Sequence, residues 1–127
     1  MYLAGDCVII ETNYYEDGKP KAHLFVVILD AKLDHDKTIL IPMDKVPVRG
    51  FHDSTTELNS GDHDFVDVPT YMNYYYGIIR DKKWIDGKGR KREPPINKII
   101  FQRICDGILK SEHTPPDVYD AYLFRNL

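Results

Sequence analysis

Residues Lys21–Met43 read KAHLFVVILDAKLDHDKTILIPM. Two apolar runs flank a polar connection. The first, His23–Asp30 (HLFVVILD), is almost continuously apolar. That pattern is expected of a strand covered on both faces rather than of one with a wet side. The connection KLDHDK, residues 32–37, leads to a third strand, TILIPM, in which Thr38, Leu40 and Pro42 alternate with Ile39, Ile41 and Met43. Proline donates no ladder hydrogen bond, so Pro42 is expected near an edge, a bulge or the strand end.

Upstream, DCVIIET at 6–12 is β-branched and apolar and follows the turn-prone Ala4-Gly5-Asp6, which predicts the first strand. Between it and the second lies NYYEDGKPK, whose Asp17-Gly18 and Pro20 mark a loop of the kind that often carries function. Residues 44–64 are turn-rich. Phe65–Val68 reads as a short strand ended by Pro69, and Thr70–Arg80 as a longer one rich in Tyr and Ile. Strand alternation would put Tyr71, Asn73 and Tyr75 on one face and Met72, Tyr74 and Tyr76 on the other. At least one face is expected to be core, with a bonded tyrosine hydroxyl. Gly87 and Gly89 predict a loop or hairpin tip for the basic segment that follows. Beyond Pro94-Pro95 the period changes. Ile96, Ile99, Ile100, Ile104 and Ile108 recur at three- and four-residue steps, predicting one amphipathic helix of about fifteen residues with Asn97 as a candidate cap. Pro116-Asp117 then opens a short terminal turn or helix.

Short strands followed by a C-terminal helix describe a mainly β, α+β chain. A strongly bent antiparallel sheet closing into a small barrel manages its edges best at this size. One domain over residues 1–127 is expected, with the barrel over about 4–93 and the helical part over about 96–127.

The 127 residues carry a formal charge of −3, with 43% apolar and 29% charged residues, ordinary for a soluble globular protein. The charge is uneven. Residues 80–92 hold seven Lys or Arg against two Asp, so this segment is +5 and the remainder −8. The overall acidity argues against general coating of nucleic acid, while the segment itself suits phosphates or an acidic protein partner. No run has the length of a membrane span, and MYLAGDCVII lacks the basic start and small-residue cleavage site of a secretion signal, so a cytoplasmic protein without membrane partners is expected. Cys7 and Cys105 belong to no metal-type pair and are expected as reduced, buried thiols.

Taken together, Gly5-Asp6 with CVII, the loop ending KPKAHLFVVIL, the strand TILIPM and the block from Pro69-Thr70-Tyr71 to Ile79-Arg80 resemble the PemK/MazF-like toxin superfamily over residues 4–110. The resemblance implies an SH3-like barrel that cuts RNA without a metal or other cofactor, an antitoxin partner and a homodimer. Where that family carries Arg-Pro at the head of the second strand, this chain has His23-Leu24. The GDHDF box and the run ICDGILKSEHTPP are also similar to small uncharacterised bacterial or phage relatives, which need not be nucleases.

RNA cleavage by 2′-hydroxyl attack needs an acid or base and a cation for the phosphorane. His23 is the candidate acid or base, Lys21 with Lys19 the phosphate clamp, and Thr70 the positioning group. Arg80, Trp84, Lys88, Arg90, Lys91 and Arg92 are the candidate RNA contacts, the indole as a stacking surface. The plain alternative is a surface histidine and solvated lysines, in a non-catalytic module that binds a protein or nucleic acid through its basic segment. His52, Asp53, Asp62, His63 and Asp64 offer metal-type donors, but their spacing fits no metal motif and turn formation suits them better. No metal is expected.

Overall fold

A computed structural model describes residues 1–13, 19–32 and 35–125. The expected loop of residues 13–21 therefore lies mostly outside the described residues. Among the described residues, seven strands form one antiparallel sheet: β1 (Cys7–Thr12), β2 (Lys21–Val27), β3 (Lys37–Lys45), β4 (Glu57–Leu58), β5 (Thr70–Met72), β6 (Ile78–Asp81) and β7 (Gly89–Lys91). Three helices accompany them, α1 (Lys82–Lys88), α2 (Lys98–Lys110) and α3 (Pro116–Phe124). The chain is mainly β in the α+β class, as its patterning predicts. The order is β4-β5-β3-β2-β1-β7, with β6 also paired to β3. Among the described residues no ladder joins β6 to β7, and α1 spans from one to the other.

Strand β2 is covered on both faces. Leu24 and Val26 enter one cluster, which includes Ile39, Ile41, Met72 and Tyr74 and is roofed by Ile100, Ile104 and Ile108 of α2 and Val118 of α3. Phe25 and Val27 enter the other with Val8, Ile10, Leu40 and Ile85 of α1. A period of two sorts neighbouring residues to opposite faces, so an uninterrupted apolar run satisfies both clusters.

Pro42 lies inside β3, opposite Phe25, and not at an edge. Its tolerance follows from a change of neighbour. On the side away from β2, Lys37–Leu40 pairs with β6 and Met43–Lys45 with β5, so Pro42 falls in the gap between those two ladders. Its carbonyl accepts the Asn73 N–H at 2.8 Å there, and the donor that proline lacks belongs to the same gap.

The same gap corrects the expected strand over Thr70–Arg80. It is broken into β5, a single 3-10 turn over Tyr74–Tyr76, and β6. Tyr74 turns wholly into the core, with its hydroxyl 2.8 Å from Thr56 Oγ1 and donated to the Ile104 carbonyl at 2.8 Å. Gly107 of α2 makes room for that phenol, since a Cβ there would collide with the Tyr74 and Thr56 hydroxyls. Residues 65–68 form no strand. Val66 is buried in the core, but the segment is held by turns, with His63 O accepting from Val66 N at 2.9 Å.

The basic segment is a helix followed by a strand rather than a loop. Asp81 caps α1 by accepting the Trp84 N–H at 2.8 Å, and buried Ile85 ties it to the second cluster. Cap and packing together outweigh the propensity cost of Gly87, of order 1 kcal/mol. Helix α2 is capped by Asn97, which accepts the Ile100 N–H at 2.9 Å. Three of its four isoleucines, Ile100, Ile104 and Ile108, are buried, while Ile99 is 79% exposed; Ile96, also buried, precedes the helix.

Candidate functional site

Strands β2 and β3 run on past the end of their mutual ladder. The last pair is Phe25 with Pro42, yet β2 begins at Lys21 and β3 continues to Lys45. The ends that splay apart leave a cleft of about 560 Å³, lined by Lys21, His23, Asp44, Lys45 and Phe65 among others. Continuing the register by two residues sets His23 opposite Asp44. A side-chain bond between Nδ1 of His23 and Oδ1 of Asp44, 3.1 Å, stands where backbone bonds stop. Both side chains are buried, at 5% and 7% exposure, so this pairing is shielded from water and stronger than a surface ion pair.

Asp44 is held in turn. Asn73 donates from Nδ2 to its other carboxylate oxygen at 2.8 Å, and the same nitrogen lies 3.5 Å from the Tyr71 hydroxyl. Tyr71 stands directly across the β3–β5 ladder from Asp44, on the same face of the sheet. Burial, then the negative charges of Asp44 and Asp53, raises the Tyr71 phenol above its ordinary range. Lys21 shares a strand face with His23 at a spacing of two, so one ammonium stands on the same wall as the imidazole. Lys45 also borders the cleft, but one residue from Asp44 it belongs to the other face of β3. At the rim the Arg92 guanidinium lies 6.0 Å from the Phe65 ring centre.

The structure thus brings His23 and Lys21 into one cleft. Thr70 stands across the ladder from Lys45 but is not among the lining residues, and its hydroxyl is donated to the Val68 carbonyl at 2.9 Å. Lys19 precedes β2 and does not line the cleft.

The basic segment divides. Arg80, Trp84 and Lys88 line a groove of about 380 Å³ together with Tyr75 and Tyr76, and the Arg80 guanidinium lies 4.9 Å from the Trp84 ring centre. Arg90 lies in a neighbouring depression with Lys88 and Glu11. Lys91 instead pairs with Asp6 at 3.2 Å and donates to the Met1 carbonyl at 3.3 Å, which ties down the N-terminus. Arg92 stands beside Phe65 without lining the cleft itself.

Asp44, Lys45 and Asn73 escape a reading of the sequence. Asp44 and Lys45 follow an apolar run as any turn residues do, and only the strand register joins Asp44 to His23. Of the His/Asp cluster, His63 serves the backbone: Nδ1 accepts the Phe65 N–H at 3.1 Å, which leaves Nε2 as the N–H facing the Pro94 carbonyl at 2.6 Å. Asp62 caps its own turn, accepting the Asn59 N–H at 2.8 Å. Among the described residues no three His, Cys, Asp or Glu side chains converge as a metal site. Cys7 and Cys105 are buried, free thiols, and burial foremost pushes them up to about 12 and about 11, which makes them poor nucleophiles. No helix among the described residues is long and apolar enough to cross a membrane. No protein-family model matches the chain, and no curated protein matches it in sequence.

Proposed function

We propose that this protein cleaves RNA through acid–base chemistry at His23, as an endoribonuclease of the toxin type. One observation carries the reading: an imidazole held at 3.1 Å by a buried carboxylate, in a cleft that Lys21 also lines. A carboxylate on Nδ1 fixes the orientation of the ring and its tautomer, which leaves proton traffic to Nε2. In the step proposed, His23 takes the proton of a ribose 2′-hydroxyl as that oxygen bonds to phosphorus. The P–O5′ bond breaks, and the imidazolium returns the proton to the departing 5′-oxygen. Products are a 2′,3′-cyclic phosphate and a 5′-hydroxyl. The ammonium group of Lys21 stabilises the charge that grows on the phosphoryl oxygens. Incubation with single-stranded RNA in EDTA should yield cyclic-phosphate ends from wild type and none from His23→Ala. Cleavage by both at one rate, or by neither, rejects the proposal.

A second reading, a non-catalytic module that binds nucleic acid or an acidic protein segment, is favoured by the groove of Arg80, Trp84, Lys88 and the two tyrosines. Aromatic surface beside cations is the common recipe for single-stranded nucleic acid. Trp84 is the chain's single tryptophan, so its fluorescence reports occupancy of this groove directly. Quenching by a DNA oligonucleotide, without cleavage of the matching RNA, would favour this reading.

A further inference from the structure

Beside the His23 cleft lies a smaller concavity of about 240 Å³, walled by Phe51, His52, Tyr71, Tyr75 and His113 with Asn73 at its edge. We infer that it receives one nucleobase, the base next to a phosphate held in the cleft; the assignment deepens the RNA-cleaving reading and rests on it.

Four observations converge. The walls are rings: His52 and Tyr71 are tilted against each other at 5.1 Å between centres, and Phe51 meets His113 edge-on at 5.3 Å. The volume is below the roughly 300–1,000 Å³ of pockets for drug-sized ligands, which fits one planar ring. Phe51 is 78% exposed and Tyr75 63%, large apolar surfaces turned to water rather than to the core. Finally, the two concavities share a wall, because Asn73 of this one donates to Asp44 of the other at 2.8 Å. A ring-lined hollow adjoining a lysine-lined cleft suits a ligand that is aromatic at one end and anionic at the next, which describes a nucleotide. Tyr75 also lines the Arg80–Trp84 groove, so the strand has a third contact further along.

Asp53 also borders this concavity but is committed to the fold. Its carboxylate accepts from Ser111 Oγ and Thr55 Oγ1, each at 2.5 Å, and from Thr55 N–H at 3.0 Å. Recognition therefore falls to the rings and to the two imidazoles.

The test uses the full chain and simple probes, read by the imidazole C–H signals of its five histidines. The four ribonucleosides, which carry no phosphate, should shift His52 and His113 and leave His23, His35 and His63 in place. Inorganic phosphate should do the reverse at His23. Phe51→Ala, a change at an exposed position that leaves the fold intact, should abolish the nucleoside shifts and keep the phosphate shift. It should also weaken a non-cleavable 2′-deoxy oligonucleotide by about 5- to 150-fold, the worth of one base–aromatic stack. Nucleoside shifts that are absent in wild type, or that persist in Phe51→Ala, overturn the assignment. Equal shifts with N-acetyl-tyrosine amide would assign the hollow to an amino-acid side chain and overturn it too. Loss of the phosphate shift at His23 alone would count against the cleavage reading and leave the ring pocket standing.

Discussion

Two histidines of this chain are equally buried, His23 at 5% and His63 at 6% exposure, and their surroundings give them opposite work. Both nitrogens of His63 face main-chain groups, so the ring functions as a staple between the Phe65 turn and Pro94. Nδ1 of His23 faces a carboxylate, in a cleft that Lys21 also lines. Burial alone therefore says little about a histidine. What distinguishes them is whether the ring serves the backbone or a concave, charged space.

The strongest test of that contrast is activity. His23→Ala should lower RNA cleavage by about 10²- to 10⁴-fold, the usual worth of a positioned acid–base group. His63→Gln should leave the rate per folded molecule within about twofold of wild type, because it touches the chemistry nowhere. Comparable losses in both, measured on folded protein, would erase the distinction.

Stability should respond next. Asp44→Ala removes the partner of His23 and of the Asn73 amide at once, and about 3 kcal/mol is expected in urea unfolding. His63→Ala strips the Phe65 N–H and the Pro94 carbonyl of their partner and should cost about 1–3 kcal/mol. A larger loss in His63→Ala than in Asp44→Ala would invert the ranking.

Gly107→Ala belongs with the structural side of the comparison. Its methyl would force the Tyr74 hydroxyl off Thr56 and Ile104, costing about 1–3 kcal/mol in the same assay as overpacking in a filled core does.

The smallest effect expected concerns acid. Burial alone would raise the Asp53 carboxyl, but the hydrogen bonds from Ser111 and Thr55, with the charge of His113, leave it below its ordinary value. A group whose pKa is lowered on folding stabilises above its unfolded pKa, near 3.9 for Asp, and loses that contribution as pH falls through its folded value. Ser111→Ala should therefore cost about 1 kcal/mol at pH 7, and the difference from wild type should shrink below about pH 4. A difference that grows as the solution is acidified would reverse the assigned sign.

The patterning of β1, β2, β3 and α2 is legible in the chain because each is periodic over enough residues to declare a face. The tyrosine run is not. Alternation over Thr70–Arg80 suggests one strand, but the gap opposite Pro42 belongs to β3, thirty residues away, and no local signal carries it. The basic segment misleads for a related reason, since Gly87 and Gly89 argue against a helix while the Asp81 cap and the burial of Ile85 decide for one. Within the candidate site, His23 and Lys21 are visible from chemistry and spacing. Asp44 and Asn73 become visible only when strand register brings them to the imidazole.

The splayed ends of β2 and β3 have a mechanical consequence. Prying them further apart breaks no ladder hydrogen bond, because the pairing ends at Phe25 and Pro42. Resistance comes from side chains instead, the contact between His23 and Asp44 among them. Whatever enters the cleft is thus gauged for width by the same hydrogen bond that aims the imidazole, and a guest too bulky for the gap disarms the ring as it wedges in.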